Sequence, residues 1–240
     1  MDPAVQSRKL RTEGQRLVEI APGALDAAVP GCPDWVGRGL LAHMVTVWQA
    51  VEALISDPSP ERPDLGSFPP APSDDDELLV VAADTLARLV GAVADADPAQ
   101  PTWTWSSDQT VGFFQRRVHQ ETLVHRVDME QAVDLRTPVD PGDALDGIDE
   151  LFSVLVSPTG EAVPRGSLHL HQTDGDGTGE FLLTVVDDDI VMTREHAKGD
   201  AALRGSAEDL WMASWRRREL EGLDLFGDET IARQWMELAP

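Results

Sequence analysis

Two histidines and a glutamate give the first chemical signal in this sequence. The segment His119-Gln120-Glu121-Thr122-Leu123-Val124-His125 sets Glu121 and His125 four residues apart, so on a helix both project from one face. His119, two positions before Glu121, lies about 200° round such a helix and points elsewhere. His43 stands in the apolar run Leu40-Leu41-Ala42-His43-Met44-Val45. A bundle that brings the two segments together would surround one point with two imidazoles and a carboxylate. Two His and one Glu with an open position is a catalytic zinc set. Imidazole also suits nickel, cobalt or iron, so the spacing leaves the metal open. The plainer reading is a Glu–His pair on a helix surface and a hydrogen-bonded core histidine, and by spacing alone it is the stronger of the two.

Other residues offer less. His169 and His171 alternate along a strand and share its face, but with no third ligand nearby a packed or solvated face is expected. Asp174, Asp176 and Asp187-Asp188-Asp189 read as turn acids without the spacing of a calcium loop. Arg216-Arg217-Arg218 is the basic cluster of an acidic half, and a helix C-terminus commonly collects such cations. Trp103 and Trp105 suit a cleft wall or a core anchor equally. Asp128, three residues beyond His125, is placed to orient that ring or to pair with Arg126. Cys32, the lone cysteine, sits in a proline-flanked turn without a neighbouring base and reads as structural.

The elements that must position these groups are legible in the apolar periodicity. Ser7 to Val29 suits a helix interrupted near Pro22, and Val29 to Trp35 a turn. A second helix is expected from Val36 to Ile55. Asp57 to Pro72, with six prolines, is an exposed loop. Ser73 caps a third helix with an acidic first turn that ends near Asp95. After a connection from Asp97 to Asp108, a fourth runs from Thr110 to Asp134. Four helices joined by polar loops imply a bundle. Thr137 to Asp143, with two prolines and a glycine, is the expected boundary between a bundle domain over 1–137 and a second domain over 143–240. That second domain reads as α+β. It holds a connecting helix from Asp143 to Val156 and strands at 167–173, 180–186, 190–193, 201–205 and 223–226. Further helices follow at 206–215 and 228–238.

The charge narrows the function. The 240 residues carry 43 acidic and 19 basic side chains, a net charge of −24. Eleven basic residues face 21 acidic ones up to Thr137, and 8 face 22 beyond it, so neither half can track phosphates or an anionic membrane. Nucleic-acid and membrane partners are therefore not expected. One cysteine excludes an intramolecular disulfide, and no signal core opens the chain, so a reducing cytoplasm is the expected compartment.

A combined pattern resembles a known family. Val29-Pro30-Gly31-Cys32-Pro33-Asp34-Trp35, Leu40-Leu41-Ala42-His43, Trp103-Thr104-Trp105 and Glu121-Thr122-Leu123-Val124-His125-Arg126-Val127-Asp128 occur in the order seen in the mycothiol-dependent maleylpyruvate isomerase family. The tail from Asp200 to Leu210 and from Leu223 to Asp228 resembles that family's C-terminal domain. The resemblance implies a DinB-like four-helix bundle followed by a sterol-carrier-like α+β domain. It makes His43, Glu121 and His125 the ligands of a divalent metal, zinc first among them. It also aligns Arg217 with an arginine near the active cleft, suited to a substrate carboxylate. One departure is Gln120, where relatives often carry His. The implied activity is activation of a small thiol, mycothiol, for S-transfer to a small electrophile or for its cis–trans isomerisation. Two rival readings are a non-catalytic small-ligand-binding protein on the same fold and a thiol-independent metal-assisted hydrolase.

Overall fold

A computed structural model describes residues 2–64, 68–156, 163–175, 179–187 and 189–239; Asp176 and Asp188 of the turn acids lie outside them. The chain divides into two compact units, residues 1–137 and 138–240.

The first unit holds four helices, α1 (Pro3–Ala24), α2 (Gly37–Ser56), α3 (Asp75–Asp95) and α4 (Val111–Gln131). The Asp2 carboxylate accepts the Ala4 N–H and Pro3 occupies the first turn, so α1 begins four residues before the expected start. Pro22 falls in its last turn and the helix ends at Ala24, five residues short of Val29. On α3 the capping side chain is Asp74, which accepts the Glu77 N–H, not Ser73. Asp75, Asp76 and Glu77 then meet the positive end of the helix dipole. Helices α1 and α2 each pack on both α3 and α4, closing the bundle.

Leu40, Leu41, Met44, Val45, Trp48 and Val51 bury one face of α2. By length and composition this helix is apolar enough to cross a membrane, which a count of consecutive apolar residues does not reveal. Its start is clamped. The Gly37 N–H donates to Ala27 O at 2.9 Å and the Arg38 N–H to Leu25 O at 2.8 Å. A Cβ on Gly37 would stand 2.1 Å from Ala24 O, so only glycine allows this approach.

Helix α4 is buried on nearly every side, from Val111 to Glu130. Its polar residues therefore lie inside the bundle, where each requires a partner. Trp48 of α2 donates its indole N–H to the Thr122 hydroxyl at 3.0 Å. That bond joins α2 to α4 beside Glu121, within the packed interface that sets which α4 residues face His43.

The second unit is α+β. Helix α5 (Pro141–Glu150) runs into a π-helical turn (Leu151–Leu155), where one helix was expected as far as Val156. Strands β1 (Leu168–Gln172), β2 (Glu180–Val186), β3 (Asp189–Thr193), β4 (Ala201–Gly205) and β5 (Asp224–Gly227) form one sheet ordered β3-β2-β1-β4-β5. The β1–β4 pair is parallel and the rest are antiparallel. Helices α6 (Ala207–Ser214) and α7 (Glu229–Met236) contact β1 and β4. Leu168, Leu170, Phe181, Leu183, Ala201 and Leu203 are buried, as are Phe152, Trp211 and Trp235. Residues alternate along a strand, so His169, His171, Glu180 and Phe226 belong to the opposite face of the sheet.

Candidate metal centre

The bundle brings His43, Glu121 and His125 together. One ligand atom from each lies within 4.8 Å of the others. His43 Nε2 stands 3.0 Å from Glu121 Oε1, and His125 Nε2 stands 3.3 Å from the same oxygen. The two imidazole centroids are 5.1 Å apart and nearly edge to face.

Neighbouring groups leave His125 and Glu121 one atom each to give. His125 Nδ1 is taken by Asp128 Oδ2 at 2.9 Å, which turns Nε2 toward the centre. Glu121 Oε2 accepts from Arg117 Nη2, one helical turn earlier, which leaves Oε1 facing the two rings. Two imidazole nitrogens and one carboxylate oxygen, with His125 and Glu121 oriented from behind, are a donor set that suits a divalent transition metal, so the residues fit one.

Electrostatics agree with the geometry. Burial by itself would raise the Glu121 pKa, but hydrogen bonds from His125 and His43 and the Arg117 charge outweigh it and hold the carboxyl well below its ordinary range. Burial would lower His125, yet Asp128 and Glu121 on either side push it up to about 9. Without metal, the His125 imidazolium carries the positive charge beside the ionised Glu121 carboxylate.

Trp35 roofs the site, its ring centroid 5.0 Å from His43 and 6.1 Å from His125. Cys32 is half-buried and its thiol donates to Asp128 Oδ2 at 3.7 Å, so the turn that holds it does have a basic neighbour. Arg126 pairs with Glu13 and Glu130, while Asp128 takes His125. His119 is buried away from the cluster, as the helical angle predicts. Trp103 and Trp105 meet at a tilt of 60° with ring centroids 6.4 Å apart, and Trp105 packs on Phe113 and Phe114 at the start of α4.

Arg217 belongs to the second unit. Its backbone N–H donates to Met212 O and its Nη1 to Trp215 O at 2.7 Å, just past the end of α6. Sequence reasoning missed Arg117 and Trp35 as parts of the centre. The Arg117–Glu121–His125 spacing of four and four was a readable signal for the first, whereas nothing in the linear sequence reveals where Trp35 lies.

A closed bundle with inward imidazoles and a carboxylate on α2 and α4, joined to an α+β unit, defines a two-part helical protein built round a polar cluster. Residues 7–130, just over half the chain, match the family described as the mycothiol maleylpyruvate isomerase N-terminal domain, and the chain belongs to that family. No curated protein and no solved structure matches it.

Proposed function

We propose that this protein is a metal-dependent enzyme that uses mycothiol to isomerise a small electrophilic alkene or to transfer the thiol to it. The observation that carries the reading is the convergence of His43 Nε2, Glu121 Oε1 and His125 Nε2, with Arg117 holding the far oxygen of Glu121 and Asp128 the far nitrogen of His125. A divalent ion held there, zinc by preference, would supply a Lewis acid that favours the thiolate of a bound thiol at neutral pH. His43 and His125 provide neutral donors and Glu121 one negative charge. Asp128 keeps the second ring nitrogen of His125 protonated, and Arg117 holds the carboxylate in one orientation. Trp35 keeps water off one side of the site. Arg217 is assigned to a substrate carboxylate, onto which a guanidinium can fork.

The reaction balances without an added oxidant or reductant. Sulfur bonds to one alkene carbon while the π pair moves into the conjugated carbonyl as an enolate. The former double bond rotates. The enolate pair then returns, the S–C bond breaks and the thiolate leaves, giving the trans isomer. If the enolate is protonated first, the adduct is the product and the enzyme is a transferase. The cytoplasm, where Cys32 and a thiol cosubstrate stay reduced, is the compartment we assign.

The test is an assay of zinc-loaded, untagged protein on maleylpyruvate with mycothiol, with a simpler thiol and with none. Turnover only with thiol is expected. Turnover without thiol would instead indicate a hydrolase, and ligand-induced stabilisation without turnover a binding protein. Asp128→Asn is expected to weaken metal affinity by roughly 10–100-fold, measured by competition with a chromophoric chelator. Unchanged affinity would mean that His125 is oriented by other contacts.

A further inference from the structure

A second group of metal-binding side chains lies on the open face of the sheet. His169 and His171 project together from β1, and Glu180 stands opposite His171 in the β1–β2 register. His196 follows β3, whose last residue, Thr193, pairs with Leu182 of β2. The meander thus brings a third histidine to the edge where Glu180 begins its strand. His171 Nδ1 lies 2.6 Å and His196 Nδ1 3.0 Å from Glu180 Oε1, while His169 Nε2 contacts Oε2. Ring centroids are separated by 5.3, 5.7 and 5.9 Å. The missing third ligand of the sequence reading is therefore present, and a fourth with it.

We propose that His169, His171, Glu180 and His196 bind a divalent transition-metal ion of the zinc class, which ties the 194–200 segment to the sheet. The four ligand atoms lie within 4.8 Å of one another. A tetrahedral zinc site with bonds of about 2.0–2.1 Å separates its ligand atoms by about 3.3 Å, so the set closes by at most about 1.5 Å. The chemistry selects the ion. Calcium and magnesium demand several oxygens, and this set offers one carboxylate. Lys198 lines the adjoining cavity, and Arg204 pairs with His171 in the β1–β4 register. These cations disfavour an ion held by charge alone and leave the site to a metal that bonds to imidazole nitrogen.

Four protein ligands fill a tetrahedron, which is the pattern of a structural ion. The cluster is graded in exposure. The His169 side chain is 7% exposed and the His196 side chain 76%, so the ion enters from the His196 side. A cavity of about 560 Å³ lined by His169, His196, Lys198, Asp200 and Phe226 opens there. Asp200 accepts from the Ser167 N–H and hydroxyl and is not among the four.

The site is independent of His43, Glu121 and His125, and the experiment separates the two. Untagged full-length chain is stripped with chelator, reloaded with zinc, desalted and analysed for metal. His43→Ala protein is expected to retain one zinc per chain, and His43→Ala/His171→Ala/His196→Ala none. Zinc should also slow tryptic cleavage after Arg194 and Lys198 at least tenfold in the single variant and not in the triple one. Should the triple variant fail to fold, His43→Ala/His196→Ala replaces it, with zinc affinity expected at least tenfold weaker than in His43→Ala. A His43→Ala protein that binds no zinc overturns the proposal, as does a triple variant that keeps its ion. Wild type and His43→Ala each holding one ion would leave this site standing and remove the one in the bundle.

Discussion

His43→Ala protein is expected to hold one divalent ion fewer per chain than wild type and to lose thiol-dependent turnover by about 10³-fold or more. The expectation follows from where the proposed ligands come from. Glu121 and His125 share one helix, whereas His43 is the proposed donor from α2, and its Nε2 stands 3.0 Å from Glu121 Oε1. Without it two donors one helical turn apart remain, too few to hold a catalytic ion. The kinetic loss has two parts. A free thiol of pKa about 8.5 is roughly 3% thiolate at pH 7, so ionisation alone accounts for about 30-fold. Positioning the sulfur against the alkene supplies the rest, since well-oriented reactants gain several further orders of magnitude. The bundle should survive, because His43 is half-buried and Trp48 and Gly37 fix α2 on either side of it. Metal analysis with circular dichroism checks both halves. Full turnover in a folded His43→Ala protein would remove the metal from the mechanism.

Arg126→Met is expected to destabilise the bundle by about 3 kcal/mol, the lower end for a broken buried ion pair, because Arg16 still faces Glu130. The Arg126 side chain is 1% exposed and that of Glu130 2%. Its Nε donates to Glu13 at 2.7 Å, and its Nη1 to Glu130 at 2.9 Å and to Thr137 O at 2.9 Å. Glu130 also accepts from Arg16 and from the N–H and hydroxyl of Thr137. Removing the guanidinium leaves the buried Glu130 carboxylate with Arg16 and Thr137 alone and takes from Glu13 its contact with Arg126, so one deletion costs more than the pair contributes. Replacing Arg126 and Glu130 together by Met should recover much of the loss. Urea midpoints measure each case, and a loss below about 1 kcal/mol for the single variant would mean that water reaches the pair.

The same network predicts an acid dependence. Burial would raise the Glu130 pKa, but its bonds from Thr137, Arg16 and Arg126 outweigh that and lower it from 4.5. A carboxyl whose folded value is depressed contributes stability that is complete above its unfolded value and drains away as pH falls through the folded one. The advantage of wild type over Glu130→Gln should therefore be full at neutral pH and shrink below about pH 4.5.

Much of the architecture could be read from punctuation. Prolines, glycines and acidic caps bracket the helices, and β2 and β4 begin and end where alternation places them. The misses have local causes. Pro22 gives up one i→i−4 bond inside the last turn of α1, and the helix ends two residues later. Asp74 and Ser73 are both good caps, and only the backbone decides between them. For the bundle cluster, helical spacing pairs Glu121 with His125, but bringing His43 to them depends on how α2 packs on α4, including the Trp48–Thr122 bond. The sheet cluster was read as incomplete because Glu180 and His196 approach His169 and His171 only through strand register, which linear spacing does not encode.

The strand order also dictates a sequence of events during folding. β1, β2 and β3 are consecutive hairpin partners, so their pairing closes only short loops. β4 must return across the whole meander to lie parallel beside β1, and β5 can dock only after β4 is in place. Closure of the longer loop costs more entropy and comes later. The meander is therefore expected to pair first, and the edge of β1 that β4 covers stays open until the chain has been made past Gly205.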